Sequence, residues 1–457
     1  MIKKNDEIIL DIVDNGFQGE GIAKSDGITI FIPNVIKGEK AKIKILKVAS
    51  NIAYGKLVEL INKSEYRAEA DCETYSKCGG CNLRHVKYSH TLEIKKESVL
   101  NTLRKALGRE VVIDEIIGME EPFYYRNKLQ YPVGKDENGS PVMGVFAERS
   151  HRIIPTHECM IQDKKSQEIA NSLFDFIKEN QIPVYDELSQ TGTIRHIIIR
   201  KGKKTNEIMV TLVSNTELIV SEEVEKKIVD FIISKYPEIK TIVKNVNNKN
   251  TNVILGYDKE NVILYGEGYI EDYLGDYRFK ISPMSFYQVN PVQTEKLYSK
   301  AVEYAGLTGK EIIFDLYCGI GTIGIFASPN AKKIYGIETI SEAIEDAKVN
   351  AKLNNIENAE YYVGDVEKFL PQLIESHDII PDVVFVDPPR KGCDKIAIDT
   401  LLKIEPNKIV YVSCNPATLT RDVRLLEEKY SLEKVSIVDM FPYTSHVECV
   451  AILKLKN

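Results

Sequence analysis

Cys414 stands in Ser413-Cys414-Asn415-Pro416, where the apolar run Ile409-Val410-Tyr411-Val412 stops and a helical segment begins. A thiol at the carboxyl edge of a sheet is where open α/β folds place a nucleophile. Free cysteine is also among the most buried residue types, so packing beneath a turn is the competing reading. The helix N-terminus directly after the thiol predicts a lowered pKa and a ready thiolate.

A second constellation lies upstream. Gly319-Ile320-Gly321-Thr322-Ile323-Gly324 follows the strand at 312–317 and opens a helix, formally the G-x-G-x-x-G of nucleotide-cofactor sites. Glu338 ends the next strand, where a carboxylate holds ribose hydroxyls. Asp315 caps the first strand and can face a cationic ligand, which a pyrophosphate site would avoid. A later strand ends in Asp387-Pro388-Pro389-Arg390, a turn that sets a carboxylate and backbone carbonyls at the sheet edge. These features point to S-adenosylmethionine rather than a nicotinamide dinucleotide. Asp365, ending the strand between them, is the expected partner of an adenine amino group.

Cys72, Cys78 and Cys81, the last two joined by Gly79-Gly80, form a third group, with Cys159 far downstream. Four thiols suit zinc or an iron–sulfur cluster. The spacing is neither that of a zinc ribbon nor the C-x3-C-x2-C of radical enzymes. Cys318, Cys393 and Cys449 read as packed thiols.

The elements that must position these residues follow from length and patterning. A chain of 457 residues exceeds one ordinary core, so two or three domains are expected. No apolar run reaches the roughly 18 residues of a membrane span, and the amino terminus lacks an apolar h-region, so a cytoplasmic protein is expected. Residues 1–63 alternate apolar and polar positions between glycine turns and predict a small antiparallel β-barrel, OB-like, of the kind that presents a strand face to nucleic acid. Residues 64–282 predict a central α+β domain with an antiparallel sheet, bearing the cysteines, and an amphipathic helix that ends near Gly108. From 283 to 457, strand, glycine turn and helix alternate, which predicts a Rossmann-like doubly wound parallel sheet. The whole is a multidomain α/β chain.

Net charge is −7, yet residues 37–63 carry seven lysines against two glutamates, and Arg200-Lys201-Gly202-Lys203-Lys204 adds a basic knot in an expected hairpin turn. Local phosphate contact fits this better than a uniformly cationic binder. Arg126, Lys128 and Tyr131 in "FYYRNKLQYP" are candidates for holding RNA.

Together these residues resemble the iron–sulfur-containing RNA (uracil-5-)-methyltransferases, of the RumA/RlmD type that makes 5-methyluridine in 23S rRNA. "CETYSKCGGC" is similar to that family's C-x5-C-G-G-C, with Cys159 as fourth ligand, which implies a [4Fe-4S] cluster held by Cys72, Cys78, Cys81 and Cys159. The barrel resembles a TRAM domain. "SFYQVNPVQTEKLY" implies that Gln288 contacts S-adenosylmethionine, and "DLYCGIGTIG", "GIE" and "DPPRKG" carry over Tyr317, Glu338 and Asp387 as further cofactor contacts. "SCNP" makes Cys414 the catalytic thiol, and "HVE" makes Glu448 the general base. Thr322 replaces an asparagine that some members direct at the cofactor. The resemblance implies rRNA, with tRNA as the alternative substrate, and no protein partner; a monomer is expected.

The chemistry agrees with these residue types. C5 of uracil is a poor nucleophile, and adding a thiolate to C6 makes an enolate whose C5 attacks an activated methyl group. A carboxylate must then remove the C5 proton before the thiol leaves. An amino-methyltransferase would use the Asp-Pro-Pro turn without needing the thiol. An RNA-binding protein with a vestigial cofactor fold would not need the intact glycine turn.

Overall fold

The computed structural model describes residues 2–75, 77–148, 150–377 and 379–456. Its amino-terminal unit is a six-stranded sheet in the order Glu7–Asp11, Lys40–Val48, Ile52–Asn62, Ile28–Ile32, Gly21–Ser25, Asp14–Asn15. Period-2 alternation sends Ala41, Ile43 and Ile45 into a core with Ala23, Ile30 and Ile32, and leaves Lys40, Lys42 and Lys44 on the outer face. Ile28–Ile32 and Ile52–Asn62 pair in parallel, so the sheet is mixed rather than wholly antiparallel. The strand Lys40–Val48 lies between them in the chain and reverses the direction once more.

The central sheet has seven strands, ordered Ile153–Pro155, Pro141–Phe146, Lys128–Lys135, Ile194–Lys201, Ile208–Ser214, Ile239–Val246, Asn261–Tyr265. The helices Lys164–Glu179 and Glu222–Lys235 pack on one face, burying Leu129, Leu173, Ile197, Ile199 and Ile232. The helix Glu222–Lys235 crosses between Ile208–Ser214 and Ile239–Val246, which makes that pair parallel where antiparallel pairing was expected. Tyr131 is wholly buried in this core, so its ring is unavailable to RNA. Alternation along Lys128–Lys135 turns it inward with Leu129.

The carboxyl-terminal sheet has eight strands, ordered Ala359–Val363, Lys333–Glu338, Ile312–Leu316, Val383–Val386, Lys408–Ser413, Glu448–Leu455, Tyr430–Val438, Ile113–Ile117. The first five run parallel, and Glu448–Leu455 runs antiparallel to Lys408–Ser413. The edge strand Ile113–Ile117 comes from the stretch that the sequence groups with the central region. The helix Tyr88–Leu107, capped by Gly108 at φ 65°, leads into it. Val99 and Leu103 of that helix pack in the same core as Ile409, Leu419 and Leu453.

An ion pair pins this helix in place. Lys95 Nζ donates to Asp439 Oδ1 at 2.5 Å and to the Phe441 carbonyl at 3.0 Å, and Tyr88 Oη donates to Asp439 Oδ2 at 2.8 Å. Both charges are buried. Removing one partner would strand the other without compensation, at a cost of about 3–5 kcal/mol. Among the described residues no helix is long and apolar enough to cross a membrane.

Candidate active site

The parallel strands of the carboxyl-terminal sheet end together, and their carboxyl edge gathers the chemistry-bearing residues. Ser413 is the register partner of Cys449 in the antiparallel ladder that runs from Lys408↔Lys454. Cys414 and Glu448 are the next residues past that last pair, at the same end of the two strands. The thiol and the carboxyl group repel each other's charge, as that proximity requires.

The thiol is half-buried and its pKa is not lowered. Burial, and then the Glu448 carboxyl, push Cys414 up to about 11, while the Arg390 guanidinium pulls the other way. The helix Pro416–Leu426 does begin beside it, with Asn415 as its cap. Desolvation by the surrounding sheet edge outweighs the helix end. Glu448 is fully enclosed, and burial together with the Asp387 carboxylate holds its pKa well above the usual carboxylate range, against Arg390. Asn415 Nδ2 and Thr418 Oγ1 both donate to the Arg390 carbonyl, at 3.0 and 3.3 Å, so the turns bearing Asp387 and Cys414 are tied into one unit. From the sequence, Arg390 is the cation with which Glu448 would pair if its role were structural; the structure sets its charge against Cys414 as well. The basic residue of the Asp-Pro-Pro-Arg turn was the available signal.

Beside this pair, at the ends of the neighbouring parallel strands, lies a group of carboxylates. Asp315 Oδ2 accepts from the Gly324 amide at 2.9 Å, while its Oδ1 is buried with no partner. Burial pushes both Asp315 and Asp387 up to about 7. Glu338 Oε2 accepts from the Gly319 amide at 3.3 Å, so the second strand's carboxylate folds back over the glycine turn. Gly319 has φ 55° and open space where a Cβ would stand, so the turn leaves room for a ligand against the backbone. An orphaned buried carboxylate oxygen beside two further acids fits a cationic ligand, and the sulfonium of S-adenosylmethionine is one.

Tyr317 sits at φ 62°, and its hydroxyl donates to Glu367 Oε1 at 3.0 Å. Glu367 hydrogen-bonds to Asp365 as well, which places Tyr317, Asp365 and Glu367 in one group at this edge. Glu367 was not singled out in the sequence; only its spacing from Asp365 in "GDVEKF" hinted at it. The Gln288 side chain hydrogen-bonds to Tyr298, and its carbonyl accepts from Asn127 Nδ2 at 3.1 Å. Thr322 is turned toward the Tyr298 hydroxyl, 3.4 Å away.

The cysteine group adjoins this edge. Cys72, Cys78, Cys81 and Cys159 line one cavity of about 530 Å³ that Gln288, Arg390 and His446 also line. Burial, followed by repulsion from the neighbouring thiols Cys159, Cys78 and Cys72, pushes Cys81 up to about 12. The Gly80 amide donates to Cys78 Sγ at 3.2 Å. Gln167 clamps Cys159, accepting from its amide at 2.5 Å and donating to its carbonyl at 3.0 Å. Among the described residues, no group of three or more His, Cys, Asp or Glu side chains is arranged to hold a metal ion. Cys318, Cys393 and Cys449 are buried, as packed thiols should be.

Comparison with known proteins identifies the family. Residues 155–456 match the tRNA (Uracil-5-)-methyltransferase family, and residues 4–58 match the TRAM domain. An RNA methyltransferase of Clostridium acetobutylicum is 50% identical over 99% of this chain and 98% of its own length. One from Staphylococcus aureus is 45% identical over 100% of this chain and 99% of its own. The crystal structure of Pyrococcus abyssi tRNA (uracil-54, C5)-methyltransferase in complex with S-adenosyl-L-homocysteine superposes with a TM-score of 0.77 and 28% identity, covering 98% of this chain and 100% of that one. With the family model matching residues 155–456 and with these relatives spanning its length, the chain belongs to the tRNA (uracil-5-)-methyltransferase family of RNA methyltransferases and begins with a TRAM domain.

Proposed function

We propose that the protein methylates C5 of a uridine in 23S rRNA. The observation that carries the reading is the end of the Ser413↔Cys449 ladder, which leaves Cys414 and Glu448 at the same strand edge as the buried acids Asp315 and Asp387. Cys414 adds its sulfur to C6 of the uracil, and C5 becomes nucleophilic. S-adenosylmethionine supplies the methyl group that C5 attacks. Glu448 takes the proton from C5, the C6–S bond breaks, and the electron pair returns to sulfur as the double bond reforms. Arg390 moderates both groups, since it opposes the upward shift of each. Gln288, Tyr317, Glu338, Asp365 and Asp387 are the proposed cofactor contacts.

The uridine must leave its stack or loop to reach Cys414, at a cost of a few kcal/mol. The preference for rRNA rests on the four cysteines, which tRNA-specific members of the resembling family generally lack. A tRNA uridine is the second reading, favoured by the tRNA enzyme of Pyrococcus abyssi. Mapping 5-methyluridine in 23S rRNA and tRNA, from cells with and without the protein, tests both. Loss of one 23S rRNA signal with tRNA unchanged is expected, and the reverse result selects tRNA. No loss in either RNA overturns the reading.

Cys72, Cys78, Cys81 and Cys159 are proposed to hold a [4Fe-4S] cluster. Their convergence on one cavity supports this, and a cluster spreads its thiolates wider than a single tetrahedral ion does. A group bound there would tie the 72–81 loop to the segment around Cys159. Protein purified without oxygen is expected to be brown and to carry about four irons per chain. A colourless protein with one zinc would show a single ion instead.

A further inference from the structure

The central sheet carries a concentration of positive charge on the face away from its helices. Lys128 and Arg200 are register partners on adjacent antiparallel strands. Their neighbours Leu129 and Ile199 point into the core, so the two cationic side chains rise side by side from the other face. Like charges set directly opposite one another destabilise a sheet. Arg126, two residues before Lys128, adds a third cation within electrostatic reach. The basic knot read from the sequence at 200–204 thus divides, with Arg200 turned inward at 3% exposure and away from the hairpin turn.

Arg126 acts on the Cys159 thiol, and among the described residues no carboxylate answers the rest of this charge. Among the described residues no carboxylate forms an ion pair with Lys128, Arg126 or Arg200. Arg200 Nη1 donates to the Ser285 carbonyl at 3.0 Å, and Arg126 Nε is buried without an acceptor. Burial and the two neighbouring guanidinium groups push the Lys128 ammonium down to about 7. Enclosing cations without partners is costly, and a bound anion relieves that cost.

The place of the cluster says which anion. Asn127 Nδ2 holds the Gln288 carbonyl and Arg200 holds that of Ser285, so the cations sit under the segment carrying Gln288. That segment walls the cavity that Arg390 and Arg126 also line. Lys128 is half-buried and can reach a ligand; Arg200 is enclosed and acts through its charge. We propose that Lys128, flanked by Arg126 and backed by Arg200, binds a backbone phosphate of the RNA beside the methylated uridine. This rests on the reading of RNA as substrate. The methionyl carboxylate of the cofactor offers the same oxyanion chemistry and is the competing source.

The test uses the full-length protein, a synthetic RNA hairpin with a uridine in its loop, and S-adenosylhomocysteine. Lys128→Gln is expected to weaken hairpin binding about tenfold near 0.1 M salt and to reduce the slope of log K against log salt by about 1. The Kd for S-adenosylhomocysteine should stay at the wild-type value. Lys128→Arg should restore both the affinity and the slope. Arg126→Gln should lower the affinity in the same direction, so the idea does not hang on one variant. Unchanged hairpin affinity and slope in a folded Lys128→Gln protein overturn the proposal. A weakened S-adenosylhomocysteine Kd with unchanged RNA binding also overturns it, and assigns the cations to the cofactor. If wild-type protein shows no salt-dependent hairpin binding, the RNA reading itself falls, a result distinct from either.

Discussion

Replacing Cys414 by alanine is expected to abolish methyl transfer, by more than about a thousandfold or some 4 kcal/mol in barrier, while S-adenosylhomocysteine still binds. The thiol stands past the end of the strand Lys408–Ser413, and the carboxylates of the cofactor cleft lie on neighbouring strands. Truncating one half-buried side chain past the strand end leaves those strands and their register intact. The measurement is single-turnover transfer of labelled methyl groups to RNA, with cofactor affinity measured alongside. Turnover within about tenfold of wild type, some 1.4 kcal/mol, would sink covalent catalysis and favour direct methylation of an amino group. The raised thiol pKa gives the wild-type enzyme a signed pH dependence. Below about 11 the thiolate fraction of Cys414 grows with pH, so the single-turnover rate should climb through the neutral and alkaline range.

Glu448→Gln should divide the reaction instead of stopping it at the start. Sulfur addition and methyl transfer leave a proton on C5, and only its removal lets the thiol depart. Glutamine keeps the size of the side chain and loses its basicity. Glu448 is 4% exposed and begins the strand Glu448–Leu455, so a near-isosteric amide leaves the packing in place. Burial that raises the carboxyl pKa strengthens the base once it is ionised, and Arg390 favours that ionised form. The expected result is a slow-migrating protein–RNA species on denaturing gels, carrying the transferred methyl group, with turnover reduced by at least about a hundredfold. A folded variant that binds RNA and turns over freely without that species would remove Glu448 from the base role. A variant that unfolds or loses RNA affinity would mark the carboxyl as a structural partner of Arg390.

The glycine turn and its facing acid were legible because their signals are local. A glycine turn after an apolar strand, and a carboxylate at the end of the next, occupy fixed offsets along the chain, and Gly319 and Glu338 do meet through a hydrogen bond. Residues 72–81 with Cys159 were legible as a group for a similar reason, since three of the thiols fall in one short loop. Tyr131 was misread because its sidedness depends on which face of a strand meets the core, and Arg200 because it lies within the strand Ile194–Lys201 rather than in the turn after it. A basic or aromatic stretch shows alternation but not its phase. Glu367 escaped notice because its link to Tyr317 forms only when two strands end together.

By itself the sequence determined the types of element and the chemical inventory: the barrel's alternating strands, the repeated strand–turn–helix rhythm, the thiols and the acids. Period and turn chemistry are properties of neighbouring residues, so they survive without a fold. Tertiary structure alone decided that the chain at 88–117 leaves the region that follows it and completes the carboxyl-terminal layer, because the buried Lys95–Asp439 pair and the edge strand Ile113–Ile117 join residues more than 300 positions apart. It also decided the sign of the Cys414 shift. The helix end that should lower the thiol pKa is visible in sequence, but the desolvation and the facing Glu448 that overcome it exist only once the antiparallel strand has docked.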